Sequence, residues 1–159
     1  MMRSLFANRI LELMKKDENI IILTADLGYK MWDEIRFRFP TRFYNVGSAE
    51  QLLIDVAIGL RLSGKIPITY SITPFLLYRP FESLRTYVNH EKIGIKLVGS
   101  GRDKDYEHDG ISHWAEDDEQ CLSALKNIKI IKPKDEKELI DIIPNFIYDN
   151  SPTYLNLKR

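Results

Sequence analysis

Arg42-Phe-Tyr-Asn-Val-Gly-Ser-Ala-Glu50-Gln51, running on through Leu52-Leu-Ile-Asp-Val-Ala57-Ile-Gly-Leu60, decides the fold class of this chain. Arg42 to Val46 is short, aromatic and β-branched, which reads as a strand. Gly47 and Ser48 interrupt it, and apolar residues then return at helical spacing as Leu52, Leu53, Val56, Ala57 and Leu60 until Gly64 stops the helix. A strand turning directly into a helix is the building unit of an α/β protein.

The same unit repeats on either side. Upstream, Phe6, Ile10, Leu13 and Met14 share one helical face, and Ile20 to Ala25 is a continuous apolar run, as in a strand covered on both sides. A loop or irregular helix follows to Phe39, where Pro40 stops it. Downstream come a strand at Ile66–Tyr70, a helix from about Pro74 to His90 and a strand at Ile93–Val98. A polar loop from Gly99 to Ser112 leads into a helix from about Trp114 to Leu125. A strand at Ile128–Ile131, a helix opened by Pro133 and Asp135 and running to about Tyr148, and a strand at Thr153–Leu157 complete the pattern. Short strands alternating with helices predict a three-layer sandwich, a mostly parallel sheet flanked by helices, in one domain spanning residues 1–159. Ligands of such sheets bind at the carboxyl ends of the strands, which directs attention to Asn45–Glu50 and Gly99–His113.

Composition excludes several classes of function. The 23 basic residues balance the 23 acidic ones, which gives no electrostatic reason to expect nucleic acid or an anionic membrane as partner. The one cysteine, Cys121, cannot form an intrachain disulfide, and no apolar run approaches the roughly 20 residues of a membrane helix, so a cytoplasmic location is expected. The sequence holds no Walker phosphate loop, no GxGxxG after a strand and no GxSxG elbow. A calcium loop beginning at Asp103 fails because its twelfth position is Trp114. His108 and His113 lack a second cluster with which to hold zinc.

Three stretches carry candidate chemistry. Glu50 falls in the first turn of a helix directly after a strand, where a carboxylate also simply complements the helix dipole. Tyr70-Ser-Ile-Thr-Pro-Phe75-Leu-Leu-Tyr78 brings aromatics to the same end of the sheet, where they serve either core packing or a ligand. Asp109-Gly-Ile-Ser-His113 follows an acidic segment, Asp103 to Glu107, that reads as solvated loop.

Together these stretches resemble the pyrimidine-binding domain of the transketolase family over nearly the whole chain. The likeness begins at Ala25-Asp26-Leu27, passes through Arg42 to Gly59 and Asp109-Gly-Ile-Ser-His113, and continues through Glu116-Asp117 to Pro133–Glu138. The resemblance implies a thiamine diphosphate-dependent transketolase-like enzyme that transfers a two-carbon ketol unit from a ketose, often phosphorylated, to an aldose. It implies that Glu50 hydrogen-bonds N1′ of the cofactor's aminopyrimidine and so helps activate it, acid–base work for which a partly desolvated carboxyl is suited. Phe75, Tyr78 and Ile72 would lie against the pyrimidine, Asp26 and His113 would line the thiazolium and substrate side, and Asp109 would bind a donor hydroxyl. No residue of this chain is assigned to the metal. The family binds the diphosphate and Mg2+ through a Gly-Asp-Gly motif that this sequence lacks, so a diphosphate-binding partner subunit is implied, assembled as a dimer of heterodimers. A C-terminal domain found in many relatives is likewise expected to be absent. Two departures concern the substrate: Gly101 stands where transketolases usually carry a histidine, and their phosphate-binding serine has no clear counterpart near Lys30. Rival expectations are another thiamine diphosphate reaction, such as 2-oxo acid decarboxylation or 1-deoxyxylulose-5-phosphate synthesis, and a non-catalytic regulatory domain.

Overall fold

Strand β1 (Ile20–Thr24) is buried along its whole length and pairs on both sides, with β2 (Phe43–Asn45) and with β3 (Ile66–Ile72). In the computed structural model, which describes residues 1–159, six strands form one sheet in the order β2-β1-β3-β4-β6-β5. The remaining strands are β4 (Lys96–Ser100), β5 (Lys129–Ile131) and β6 (Thr153–Leu157). Every pairing is parallel, so the mostly parallel expectation becomes a wholly parallel sheet.

The two faces are covered by different helices. Helices α1 (Met2–Met14), α2 (Asp33–Arg38) and α7 (Glu136–Tyr148) bury Phe6, Ile10, Ile35 and Phe146 against Ile20, Ile22, Ile68 and Val98. On the other face α3 (Glu50–Leu62), α4 (Thr73–Tyr78) and α6 (Asp118–Leu122) pack Leu53, Ala57, Leu76 and Leu122 against Leu23, Leu97 and Tyr154. Alternation of Ile22 and Leu23 between the two cores is the period of a strand buried on both sides. Gly99 in β4 is required by that packing: a Cβ there would lie 2.5 Å from Thr73 Oγ1 and 2.9 Å from the Tyr154 ring.

Several boundaries differ from expectation, each for a local reason. The helix expected over 74–90 is broken at Pro80, which has no N–H to continue α4. The chain resumes as α5 (Phe81–Ser83) and a wider π-helical segment, Leu84–His90. The helix expected from Trp114 begins at Asp118, because Ala115 N–H donates to the Asp103 carbonyl at 2.7 Å and holds 114–115 extended. Strand β4 starts at Lys96 rather than Ile93. The polar loop contains two short 3-10 turns, Glu107–Asp109 and Ile111–His113. Asp135 caps α7 as expected, accepting from Glu138 N–H at 2.8 Å. Arg42, in the stretch that decides the fold, does structural work: its guanidinium donates to the Asp17 and Met14 carbonyls at 2.8 and 2.9 Å at the end of α1. No helix is long and apolar enough to cross a membrane.

Candidate functional site

Because all strands run the same way, the residues that follow β1, β2, β3, β4 and β6 emerge at one end of the sheet. Glu50 opens α3 there and is only 2% exposed. Its Oε1 accepts from Ser71 Oγ at 2.9 Å and its Oε2 from Arg79 Nη1 at 2.6 Å. A buried carboxylate needs such partners, since an unpaired one costs several kcal/mol or more. The Arg79 guanidinium also lies 3.8 Å over the Phe75 ring, four residues away in sequence and one helical turn below.

Phe75 is the pivot of the site. The His113 ring meets it nearly edge-on, with centroids 4.9 Å apart at 68°. His113 Nδ1 lies 2.9 Å from Ser112 Oγ. Phe75, Tyr78 and Arg79 line a cavity of about 570 Å³ together with Ile111, Trp114 and Asp117. The Tyr78 hydroxyl is held well above its ordinary pKa by partial burial and by Asp117 beside it. Cys121 is a half-buried thiol pushed up to about 11 by burial, which keeps it protonated and unreactive near neutrality.

Asp26 sits after β1 with a positive φ of 53°, a backbone state costly for a residue other than glycine. Asn45 holds it there, its Oδ1 accepting from Asp26 N–H at 2.8 Å and from Gly47 N–H at 3.0 Å. The Asp26 carboxylate accepts from the Tyr29 hydroxyl at 2.6 Å, which, with a further bond from Asn45, holds its pKa below the usual carboxylate range. Next to it lies a second cavity, of about 500 Å³, lined by the cations of Arg3, Lys30 and Arg159 with Tyr29, Tyr70 and Tyr106. Tyr70 is fully buried, and neither its hydroxyl nor Arg3 Nε has a hydrogen-bond partner. Such orphaned groups are uncommon in protein interiors.

Of the residues expected at the site, Phe75 meets His113 directly and Glu50 through Arg79; Phe75 and Tyr78 line the first cavity, whereas Glu50, His113 and Asp26 are not among its lining residues. Ile72 ends β3 half-buried and is not among the residues lining that cavity. Asp109 is exposed on a 3-10 turn and does not line either cavity. Ser71, Arg79, Asn45 and the Arg3–Lys30–Arg159 group were not anticipated. Arg79 had a sequence signal, its spacing of four from Phe75; the arginines at opposite ends of the chain had none.

The chain matches, over residues 1–159, the family described as transketolase, pyrimidine binding domain. It belongs to that family. Among relatives of the transketolase pyrimidine domain, a protein named as a transketolase C-terminal section from Methanocaldococcus jannaschii is 33% identical, the match covering 99% of this chain and 50% of that one. A 6-deoxy-6-sulfo-D-fructose transketolase subunit from a Clostridium species is 30% identical over 99% of this chain and 49% of its own length. A solved structure described as a split gene transketolase, inactive beta4 tetramer, superposes with a TM-score of 0.85 at 29% identity, covering 99% of this chain and 51% of that one. The chain thus spans about half the length of these relatives. The fold expected for a transketolase pyrimidine domain is the fold observed.

Proposed function

We propose that this chain is the pyrimidine-binding part of a thiamine diphosphate-dependent, transketolase-like transferase that moves a two-carbon ketol unit from a ketose to an aldose. The observation that carries this reading is the buried Glu50 carboxylate beside Phe75 at the carboxyl end of the sheet. The residues fit the cofactor's aminopyrimidine by a direct test. A planar cation, the Arg79 guanidinium, already stacks on Phe75 and donates to Glu50, the two contacts a flat hydrogen-bonding ring would take.

Bound thiamine diphosphate supplies the carbon nucleophile that cleaves the donor ketose. Glu50 holds or shares the proton at N1′, and its burial keeps water from competing for that bond. Ser71 fixes the carboxyl plane through Oε1 and leaves Oε2 for the ring. Arg79 gives up Glu50 and Phe75 as the pyrimidine arrives. Phe75, with Tyr78 at the cavity wall, seats the ring, and His113 and Asp26 face the reacting carbons. Asp109, exposed on the 3-10 turn before His113, would bind a donor hydroxyl. Arg3, Lys30 and Arg159 are suited to an anionic group at the far end of the donor, a phosphate or sulfonate. The diphosphate and its Mg2+ fall to a partner subunit, and a dimer of heterodimers places each cofactor between two chains. The relatives named as a C-terminal section and as a subunit support a divided enzyme.

The test is reconstitution. This chain, purified with a candidate diphosphate-binding subunit and supplied with thiamine diphosphate and Mg2+, is expected to convert a ketose phosphate and an aldose into the products of two-carbon transfer. Transfer by neither chain alone and by the pair supports the proposal; carbon dioxide release from a 2-oxo acid without ketol transfer refutes it.

A further inference from the structure

Tyr106 lines the second cavity and reaches towards His113. Its ring lies 6.3 Å from that of His113 on one side, and the Arg159 guanidinium lies 4.9 Å from its centroid on the other. Its hydroxyl is bonded to Ser100 Oγ at 2.8 Å and accepts from Arg3 Nη1 at 3.1 Å. The ring occupies the space above Gly101, where a Cβ would come within 2.4 Å of Tyr106 Cε2. Gly101 also has a φ of +89°, so the position favours glycine twice over. Tyr106, reaching in from the loop, thus fills the space that a side chain at 101 would take. That tyrosine contacts both terminal arginines, and Asp109 N–H donates to its carbonyl at 3.0 Å.

We infer that Tyr106 is a positioning residue that aims Arg3 and Arg159 into the cavity beside Asp26 and so sets the preference for donors with an anionic tail. The inference rests on the function proposed above. Arg3 and Arg159 belong to long side chains with several rotatable bonds, and each is ordered by Tyr106, one through its hydroxyl and one through its ring face. Tyr106→Phe removes the first constraint and keeps the second; Tyr106→Ala removes both.

The experiment compares a phosphorylated ketose with its unphosphorylated counterpart in the reconstituted complex. The ratio of their kcat/KM values is expected to fall about tenfold in Tyr106→Phe, the scale of a hydrogen bond to a charged group, and further in Tyr106→Ala. The loss is expected in KM of the phosphorylated donor rather than in kcat, and inorganic phosphate is expected to inhibit the variants more weakly than the wild type. Thiamine diphosphate affinity and melting temperature serve as controls for folding, with Tyr106→Phe as the variant that keeps the packing. A ratio within twofold of wild type, or an equal effect on both donors, overturns the inference while leaving the proposed function standing. A wild-type complex that transfers from neither donor overturns both.

Discussion

Arg79 closes over Glu50: the guanidinium donates to the buried carboxylate at 2.6 Å while covering Phe75 at 3.8 Å. One side chain thus occupies both the charge and the aromatic face on which the proposed cofactor depends. Arg79 itself is 46% exposed, so it neutralises Glu50 from the solvent side and is free to leave. Removing it strands a carboxylate in the interior. Arg79→Ala is expected to destabilise the chain by about 1–2 kcal/mol, a figure reduced from that of a fully buried pair because Arg79 is half in water. Urea denaturation measures it, and the difference is expected to shrink in the complex with thiamine diphosphate, where the pyrimidine takes over as partner of Glu50.

Asp26 offers a test by pH. Its pKa is lowered in the folded chain, first by the Tyr29 hydroxyl and then by Asn45. A depressed carboxylate stabilises the fold above its unfolded value, about 4, and that contribution is lost as pH falls through the folded pKa. Tyr29→Phe is expected to raise the Asp26 pKa towards the ordinary carboxylate value, as followed by NMR of the side-chain carboxyl. An unchanged titration would mean that Tyr29 does not hold Asp26 in solution.

Lys96 predicts a pH dependence of the same sign at the other end of the pH scale. It is 1% exposed in β4, donates to the Asp149 and Ser151 carbonyls at 2.6 and 2.9 Å, and is lowered to about 8 by burial. Between about 8 and the unfolded value of about 10.4, the unfolded chain binds a proton that the folded chain has released. Stability from this group therefore rises with pH across that window. In Lys96→Met the rise is expected to flatten, as read from denaturation midpoints at pH 7.5 and pH 10.

How much of this was legible in the sequence depends on range. The strand-turn-helix at Arg42–Leu60 placed Glu50 correctly because its signals are local: an apolar strand, a glycine turn and a helical period. Phe75, at the start of α4, and His113, on a 3-10 turn after β4, come from separate connections, and only the resemblance joined them; their edge-to-face contact follows from the parallel sheet bringing both to one end. The segment Asp103–Glu107 was read as solvated, which is right for Asp103, Lys104 and Glu107 and wrong for Tyr106, whose ring turns inward over Gly101. No periodicity marks such a residue. Pro80 was visible, yet the apolar spacing on both sides of it suggested one helix where the missing N–H makes two.

Asp118 predicts a stability effect with a reach to the site. This 1% exposed carboxylate accepts from Lys132 Nζ at 2.6 Å, Tyr154 OH at 2.8 Å and Asn156 Nδ2 at 3.1 Å. Asn156 Nδ2 also donates to Thr73 Oγ1 at 3.3 Å, so the network ties α6 to β6 and to the start of α4, which carries Phe75. Asp118→Ala is expected to cost about 3 kcal/mol, as for a buried pair that loses one partner, and to shift the Phe75 and His113 ring resonances in NMR spectra. A cost below about 0.5 kcal/mol would show that the network carries no weight.

The proposed function turns on Glu50 activating a cofactor shared with a partner subunit. The direct measurement is the rate of hydrogen–deuterium exchange at C2 of thiamine diphosphate bound to the reconstituted complex, in wild type and in Glu50→Gln. Fast exchange is expected in wild type, with a fall of about two orders of magnitude or more in Glu50→Gln, the scale of lost acid–base assistance, and with the cofactor still bound. Equal exchange rates in the two proteins would contradict it.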